Sequence, residues 1–327
     1  MTSLLQAAWR SLVPATWRAR LPDGLRDYLR RKLTPRRRLP TRLTFPRIDR
    51  AGGPPVRIVI FGEFADDWLS TFLDPKIWTG IEGVTEVVRV ADRPGARLPP
   101  PAFADSRTVV IPLGLPNIRN CPTHLPALIP DGRALDALGN KKSFAAYMAA
   151  GGLADFCPKV FAADEEAGFP CVIKRADLGA GWGIAIARSP EDLARLRQAT
   201  DWRGKDCVVQ AFVPGAIEHV THCVCRDGVI LWHCSFACEM QHPEQIRSGM
   251  EDQTITPAVA TPRVLDQIGR VLAPLGYSGP CCVDYKLSPA GDIVIFEINP
   301  RFGGTLMMPQ HADRLREALA CIIRHAR

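Results

Sequence analysis

Asp284, Glu297, Asn299 and Arg301 fall within one short stretch, CCVDYKLSPAGDIVIFEINPRFGGT. CCVDY and IVIFE are apolar β-runs, and SPAGD between them is a turn signal, so the stretch predicts a β-hairpin. Side chains alternate across a strand, which puts Glu297 and Asn299 on one face. With the hairpin in register, Asp284 lies across from them. Two carboxylates and an amide are hard oxygen donors. They suit Mg²⁺ (or Mn²⁺), which takes one or two carboxylates and completes its octahedron with water and phosphate. Arg301 follows on the same side as a fixed cation. By itself the pattern also describes an edge hairpin with solvated acids, so the rest of the chain must decide.

Upstream, FPCVIKRADLGAGWGIAIA pairs a β-branched run ending in Lys174 with a loop holding Gly179, Gly181 and Gly183, and then a second β-run. Glycines let backbone N–H groups approach an anion closely, and a lysine at the strand end supplies a point charge for phosphate. It is not a Walker A loop, because no GK[ST] follows and no helix opens after the glycines. Gly139-Asn140-Lys141-Lys142-Ser143 precedes a helix-like run, FAAYMAAGG. Positive charge at a helix start opposes the helix dipole, which hints at an anion that offsets it. CVVQAFVPG, residues 207–215, reads as a buried strand running into a turn, with Glu218 just beyond.

The words EINPRFGG closely resemble the metal-binding end of the ATP-grasp superfamily, and the other blocks follow in the family's order from Gly139 to Thr305. The resemblance implies that Asp284, Glu297 and Asn299 hold Mg²⁺ ions bridging the ATP phosphates. Lys174 and the loop of Gly179, Gly181 and Gly183 then form the phosphate lid. The GNK spacing favours Lys141 as the phosphate lysine at the helix start, with Lys142 as the alternative. Gln210, Ala211, Phe212 and Val213 become the hinge that reads the adenine edge, and Glu218 the acid on the ribose hydroxyls. The acid usual at the hinge is Gln210 here, and Glu218 lies at or one residue from the usual ribose position.

These groups need a scaffold, and the chain is long enough for two or three lobes at 327 residues. The expected fold is α/β, with α+β catalytic lobes: a small Rossmann-like lobe at 56–139, then a two-lobed ATP-grasp domain at 140–327. The lid subdomain is expected at about 140–210 and the catalytic lobe at about 211–327. VRIVIFG, VTEVVRV and RTVVIPLG are the strands of the first lobe, which lacks the GxGxxG fingerprint of dinucleotide binding. SPEDLARLRQA predicts a helix capped by Ser189, and ADRLREALACIIRHA a final amphipathic helix. EMQHPEQIRSGMEDQT is polar and aperiodic, a long loop of the kind that carries function, and Arg247 within it is a second candidate cation for the γ-phosphate or a substrate carboxylate.

Residues 1–55 form a basic arm and linker. Positions 1–50 hold thirteen Lys/Arg and three acids, a net of +10, so the remainder carries −3. Trp9, Trp17, Leu25 and Tyr28 interleave with arginines, and Pro14, Pro22 and Pro35 divide the arm. Such a segment suits an anionic membrane surface, a protein partner or simply solvent. Nucleic acid is not expected, since no recognition motif accompanies the charge. No apolar run reaches the length of a membrane span and no signal-peptide pattern is clear. Eleven cysteines, mostly in apolar runs, fit buried free thiols in a reducing compartment. The Cys/His-rich stretch EHVTHCVCRDGVILWHCSFAC reads as a hairpin with buried cysteines, zinc being the alternative. The expected location is the cytoplasm, or the membrane periphery through the arm.

Taken together, the resemblance implies an ATP-dependent ligase that joins a carboxylate to an amine or thiol through an acyl phosphate, releasing ADP and phosphate. Small-molecule acid and amine substrates are the implied partners, with Arg301 stabilising the oxyanion. The alternatives are a bicarbonate-phosphorylating enzyme of carboxylase or carbamoyl-phosphate type and a non-catalytic nucleotide-binding scaffold.

Overall fold

The computed structural model describes residues 39–46, 53–62, 66–178, 183–247 and 253–327. The basic stretch 1–38 and the glycines Gly179 and Gly181 lie outside the described residues, as do the expectations placed on them. Residues 41–327 form one compact unit.

The first lobe is a sheet of order β1-β3-β2-β4. β2 (Val56–Phe61), β3 (Val84–Val90) and β4 (Arg107–Pro112) are parallel, and β1 (Arg42–Thr44) pairs antiparallel with β3 at the edge. β2 is buried along its whole length, as a central parallel strand must be. It nevertheless carries Arg57. The reason is Glu86 of β3, fully buried, whose carboxylate lies 2.7 Å from Arg42 Nε and 3.5 Å from Arg57 Nε. A carboxylate taken out of water needs such partners. β1 therefore lies inside the 1–55 stretch read as arm and linker, and its pairing is a long-range one that local pattern does not reveal. Helices α1 (Asp66–Phe72), α2 (Pro75–Trp78), α3 (Leu115–Arg119) and α4 (Gly132–Leu138) follow the strands.

The segment expected to be the lid is an antiparallel sheet of order β5-β8-β6-β7, from β5 (Val160–Phe161), β6 (Cys171–Arg175), β7 (Ile184–Ala187) and β8 (Cys207–Ala211). α6 (Pro190–Gln198) packs on it through Leu193, in a core with Cys171, Ile173, Ala187 and Val209. Ser189 caps α6 by accepting from Asp192 N–H at 3.2 Å.

The segment expected to be the catalytic lobe holds a sheet of order β11-β10-β9-β12-β13. Its strands are β9 (Ile217–Arg226), β10 (Val229–Met240), β11 (Gln253–Ala258), β12 (Gly279–Leu287) and β13 (Ile293–Asn299), with helices α7 (Pro262–Leu272) and α8 (Ala312–His325). Asp227 and Gly228 join β9 to β10 with φ of 50° and 83°. Positive φ at both central positions is what a two-residue type I′ hairpin requires. One element departs from the sequence order. The boundary at 140–210 assigns α5 (Lys141–Ala150) to the lid, but its Phe144 and Met148 pack with Val264, Ile268, Tyr285, Ile293 and Ile295 of the catalytic lobe. These residues sit four apart on one helical face, so the helix follows its apolar stripe.

The cysteines are free thiols, and Cys223, Cys225 and Cys238 are buried in strands. Among the described residues no group of three or more His, Cys, Asp or Glu side chains is placed to hold a metal ion. The zinc alternative is therefore not realised there. No helix among the described residues is long and apolar enough to cross a membrane.

Candidate active site

β12 and β13 pair antiparallel with Asp284 directly opposite Glu297 and Cys282 opposite Asn299. The register of this hairpin is what brings the acids together. Phe296 is the extra residue of a bulge, since Asp284 pairs with Glu297 and Tyr285 with Ile295. Asn299 Nδ2 donates to Glu297 Oε1 at 2.9 Å and to Asp284 Oδ2 at 3.3 Å, while its Oδ1 accepts from Arg301 at 3.2 Å. The amide NH₂ thus sits where a cation would sit between the carboxylates. Half a turn of the amide is needed before its oxygen serves as a ligand. Two facing carboxylates and an amide fit a divalent cation that completes its shell with water or phosphate oxygen.

Cations crowd this end. Lys141, at the first position of α5, lies 3.7 Å from Glu297 Oε2 and donates to the Leu178 carbonyl. Lys142 instead faces outward, 3.1 Å from the exposed Asp206. Asn140 caps the helix by accepting from Lys142 N–H at 2.8 Å. A helix turns through 100° per residue, so the cap fixes which lysine enters the cleft. Lys174, near the end of β6, is buried and lies 5.0 Å from the Phe296 ring centroid. Burial lowers its pKa, and the charges of Glu297, Glu218 and Asp284 work against that loss. Burial would raise the Glu297 pKa, but Lys141, the Asn299 hydrogen bond, Lys174 and Arg301 outweigh it and hold the carboxyl below its ordinary value. Gly183 closes the lid loop with φ of +64°, a left-handed conformation that favours glycine.

Arg247 reaches in from the loop after β10. One of its guanidinium nitrogens is 2.6 Å from Glu218 Oε1 and 2.9 Å from Asp284 Oδ1. Burial pushes the Asp284 carboxyl up and Arg247 opposes that shift. Burial likewise pushes Glu218 up to about 7 against the pull of Arg247. The arginine therefore bridges the acid expected at the ribose and the acid expected at the metal. Arg301 lies 5.3 Å from the Trp68 ring centroid and donates to the Phe302 carbonyl at 2.7 Å. The turn after it lies tight on the sheet: a Cβ on Gly303 would meet Cys282 Sγ and come within 2.5 Å of His222 Cε1. His222 is buried, and desolvation drives its pKa down to about 3, so it packs as a neutral ring.

At the other end, β8 runs out of the lid through Gln210 and Ala211 into Phe212, Val213 and Pro214. Ala211 N–H donates to the Lys159 carbonyl at 2.8 Å and Phe212 N–H to the Pro170 carbonyl at 3.4 Å. Gln210 is buried.

Residues 145–305 match the family model described as the ATP-binding domain of the carbamoyl-phosphate synthase L chain. That segment, just under half of the chain, is of the ATP-grasp type. A curated relative, phosphoribosylamine–glycine ligase of Synechocystis, is 28% identical over 179 residues, covering 47% of this chain and 41% of that protein. The chain thus spans less than half the length of that relative. Among solved structures, L-amino acid ligase from Bacillus licheniformis superposes with a TM-score of 0.57 at 13% identity, over 84% of this chain and 75% of that one. D-alanine–D-alanine ligase from Bacillus anthracis, complexed with ATP, gives 0.56 at 15% identity over 83% and 97%. These likenesses establish the ATP-grasp fold.

Within that fold the structure brings Lys141, Lys174, Glu218, Arg247, Asp284, Glu297, Asn299 and Arg301 together and turns Lys142 away toward the exposed Asp206. Sequence reasoning missed Lys286 altogether. It is buried on β12, and its place two residues after Asp284 was the available signal.

Proposed function

We propose that this protein is an ATP-dependent ligase that activates a carboxylate as an acyl phosphate and passes the acyl group to an amine or a thiol. The observation that carries the reading is the opposed pair Asp284 and Glu297, with Lys141 and Lys174 converging on the same end of the cleft. A carboxylate pair set among lysines is suited to metal-bound polyphosphate and poorly suited to an uncharged ligand. Lys141 and Lys174 meet phosphate oxygens, and Glu218 accepts from the ribose hydroxyls once Arg247 leaves it. Phe212 and Val213 offer main-chain groups to the base. Asp284, Glu297 and Asn299 hold Mg²⁺, or Mn²⁺, which neutralises the charge on the phosphates and orients them.

The chemistry is positioning and electrostatics. A substrate carboxylate oxygen attacks the γ-phosphorus, the bond to the β-phosphate oxygen breaks, and ADP leaves. The amine nitrogen then adds to the acyl carbon, and phosphate departs as the nitrogen gives up its proton to solvent. Arg301, in contact with Trp68 and Asn299, stabilises the oxyanion formed in that addition. No side-chain nucleophile is needed. The matched family description favours one second reading, bicarbonate as the acid that is phosphorylated. The site would serve in the cytoplasm, including at the membrane face if the basic N-terminal stretch adsorbs there.

An ADP-release screen with Mg·ATP over pooled carboxylic acids, bicarbonate and amines tests the proposal, with mass spectrometry on the hits. ADP release that needs both an acid and an amine supports ligation. Release with bicarbonate alone supports the second reading. ATP that binds but is consumed with no acid in the panel counts against both.

A further inference from the structure

Lys286 takes no part in the reading above, yet it is only 4% exposed. It lies on β12 two positions beyond Asp284 and so on the same face of the strand. Its Nζ donates to the Val213 carbonyl at 3.0 Å and lies 5.8 Å from the Phe212 ring centroid. Glu218 is the charge that favours its ammonium form against burial. Methionine or leucine would fill this space without taking an ammonium group out of water. A charge kept here answers to the groups it touches, and those groups are the segment that leaves the lid for the catalytic lobe.

That segment has little structure of its own. Pro214 has no N–H, and Gly215 has φ of +119°. The lid holds one side of it, through the carbonyls of Lys159 and Pro170. Lys286 holds the other side, from the strand that carries Asp284.

We propose that Lys286 is a positioning residue for the nucleotide base, which grips the Val213 carbonyl and fixes the Phe212–Pro214 main chain at the distance from Glu218 where base edge and ribose are read together. The proposal rests on the ATP-site reading. One strand then spaces both ends of the nucleotide, with Asp284 at the phosphates and Lys286 at the base.

Calorimetric titration with ADP and with GDP, in Mg²⁺ buffer, tests this on wild type, K286M, K286Q and K286R, with thermal melting to establish that each is folded. Loss of a charge-assisted hydrogen bond predicts about tenfold weaker ADP binding by K286M. The preference for ADP over GDP should narrow in K286M and K286Q and be largely restored in K286R, which still donates from a cation. A merely structural lysine would lower the melting temperature and leave that preference unchanged, and this result in folded K286M or K286Q overturns the proposal. Should K286M fail to fold, K286Q and K286R carry the same comparison. Wild type that binds neither nucleotide would overturn the ATP-site reading itself, a different failure from an unaltered preference.

Discussion

At the end of the site proposed for the phosphates the groups are charged side chains on two adjacent strands and one helix start. At the end proposed for the base they are main-chain groups of a short connection, held by Lys286 at the Val213 carbonyl. The first arrangement is set by register: one slip between β12 and β13 would send Asp284 or Glu297 to the opposite face. The second is set by packing between lobes. Charge must be answered by charge nearby, so the phosphate end is dense in paired ions. A base edge needs only neutral hydrogen-bonding groups held still.

Substitutions at the two ends should therefore behave differently. The largest effect is expected at Glu297. Removing one carboxylate from a facing pair weakens the cation that must offset phosphate charge, so E297Q should reduce ADP formation by about 100-fold or more while the fold persists. Steady-state ADP assays beside a circular dichroism spectrum check it, and near wild-type turnover would remove Glu297 from the metal set. Next come the lysines. K174A and K141A should each cost about 2 kcal/mol, roughly thirtyfold, in affinity for a non-hydrolysable ATP analogue. K142A should change it by less than about 0.5 kcal/mol, since its partner Asp206 is exposed. Calorimetry ranks them, and a Lys142 effect equal to that of Lys141 would break the account of the α5 cap.

A smaller effect than that of Lys141 or Lys174 is expected at the base end. Burial pushes the Glu218 carboxyl up to about 7 against the pull of Arg247. Below that pH it carries a proton and accepts poorly from ribose hydroxyls; above it, the carboxylate accepts both. Preference for ATP over 2′-deoxy-ATP should therefore rise several-fold from pH 6 to pH 8, as expected for one charged hydrogen bond gained. E218Q should flatten that profile. A slope that survives in E218Q would assign the titration elsewhere.

The same contrast explains what was legible beforehand. Asp284, Glu297 and Asn299 could be placed together because alternation and a turn signal fix a hairpin from local sequence. The strands β2, β3 and β4 were readable as continuous apolar runs. β1 was not, because Arg42–Thr44 has no pattern of its own and is held by pairing with β3 and by the buried Glu86. α5 was readable as a helix, but its allegiance to the catalytic lobe depends on the distant partners Val264 and Ile293. Arg247 was recognised as a cation in a polar loop, while its bridge between Glu218 and Asp284 depends on how that loop folds back. Lys286 has no local signature, because its burial and its contact with Val213 come from tertiary packing.

The central claim is that a carboxylate oxygen attacks the γ-phosphorus of ATP in this cleft. Transfer of ¹⁸O from a labelled acid substrate, identified by ADP release, tests it most directly. The account predicts one ¹⁸O atom in the released inorganic phosphate, formed with ADP and only when Mg²⁺ is present. Unlabelled phosphate, or AMP and pyrophosphate in place of ADP and phosphate, would contradict it.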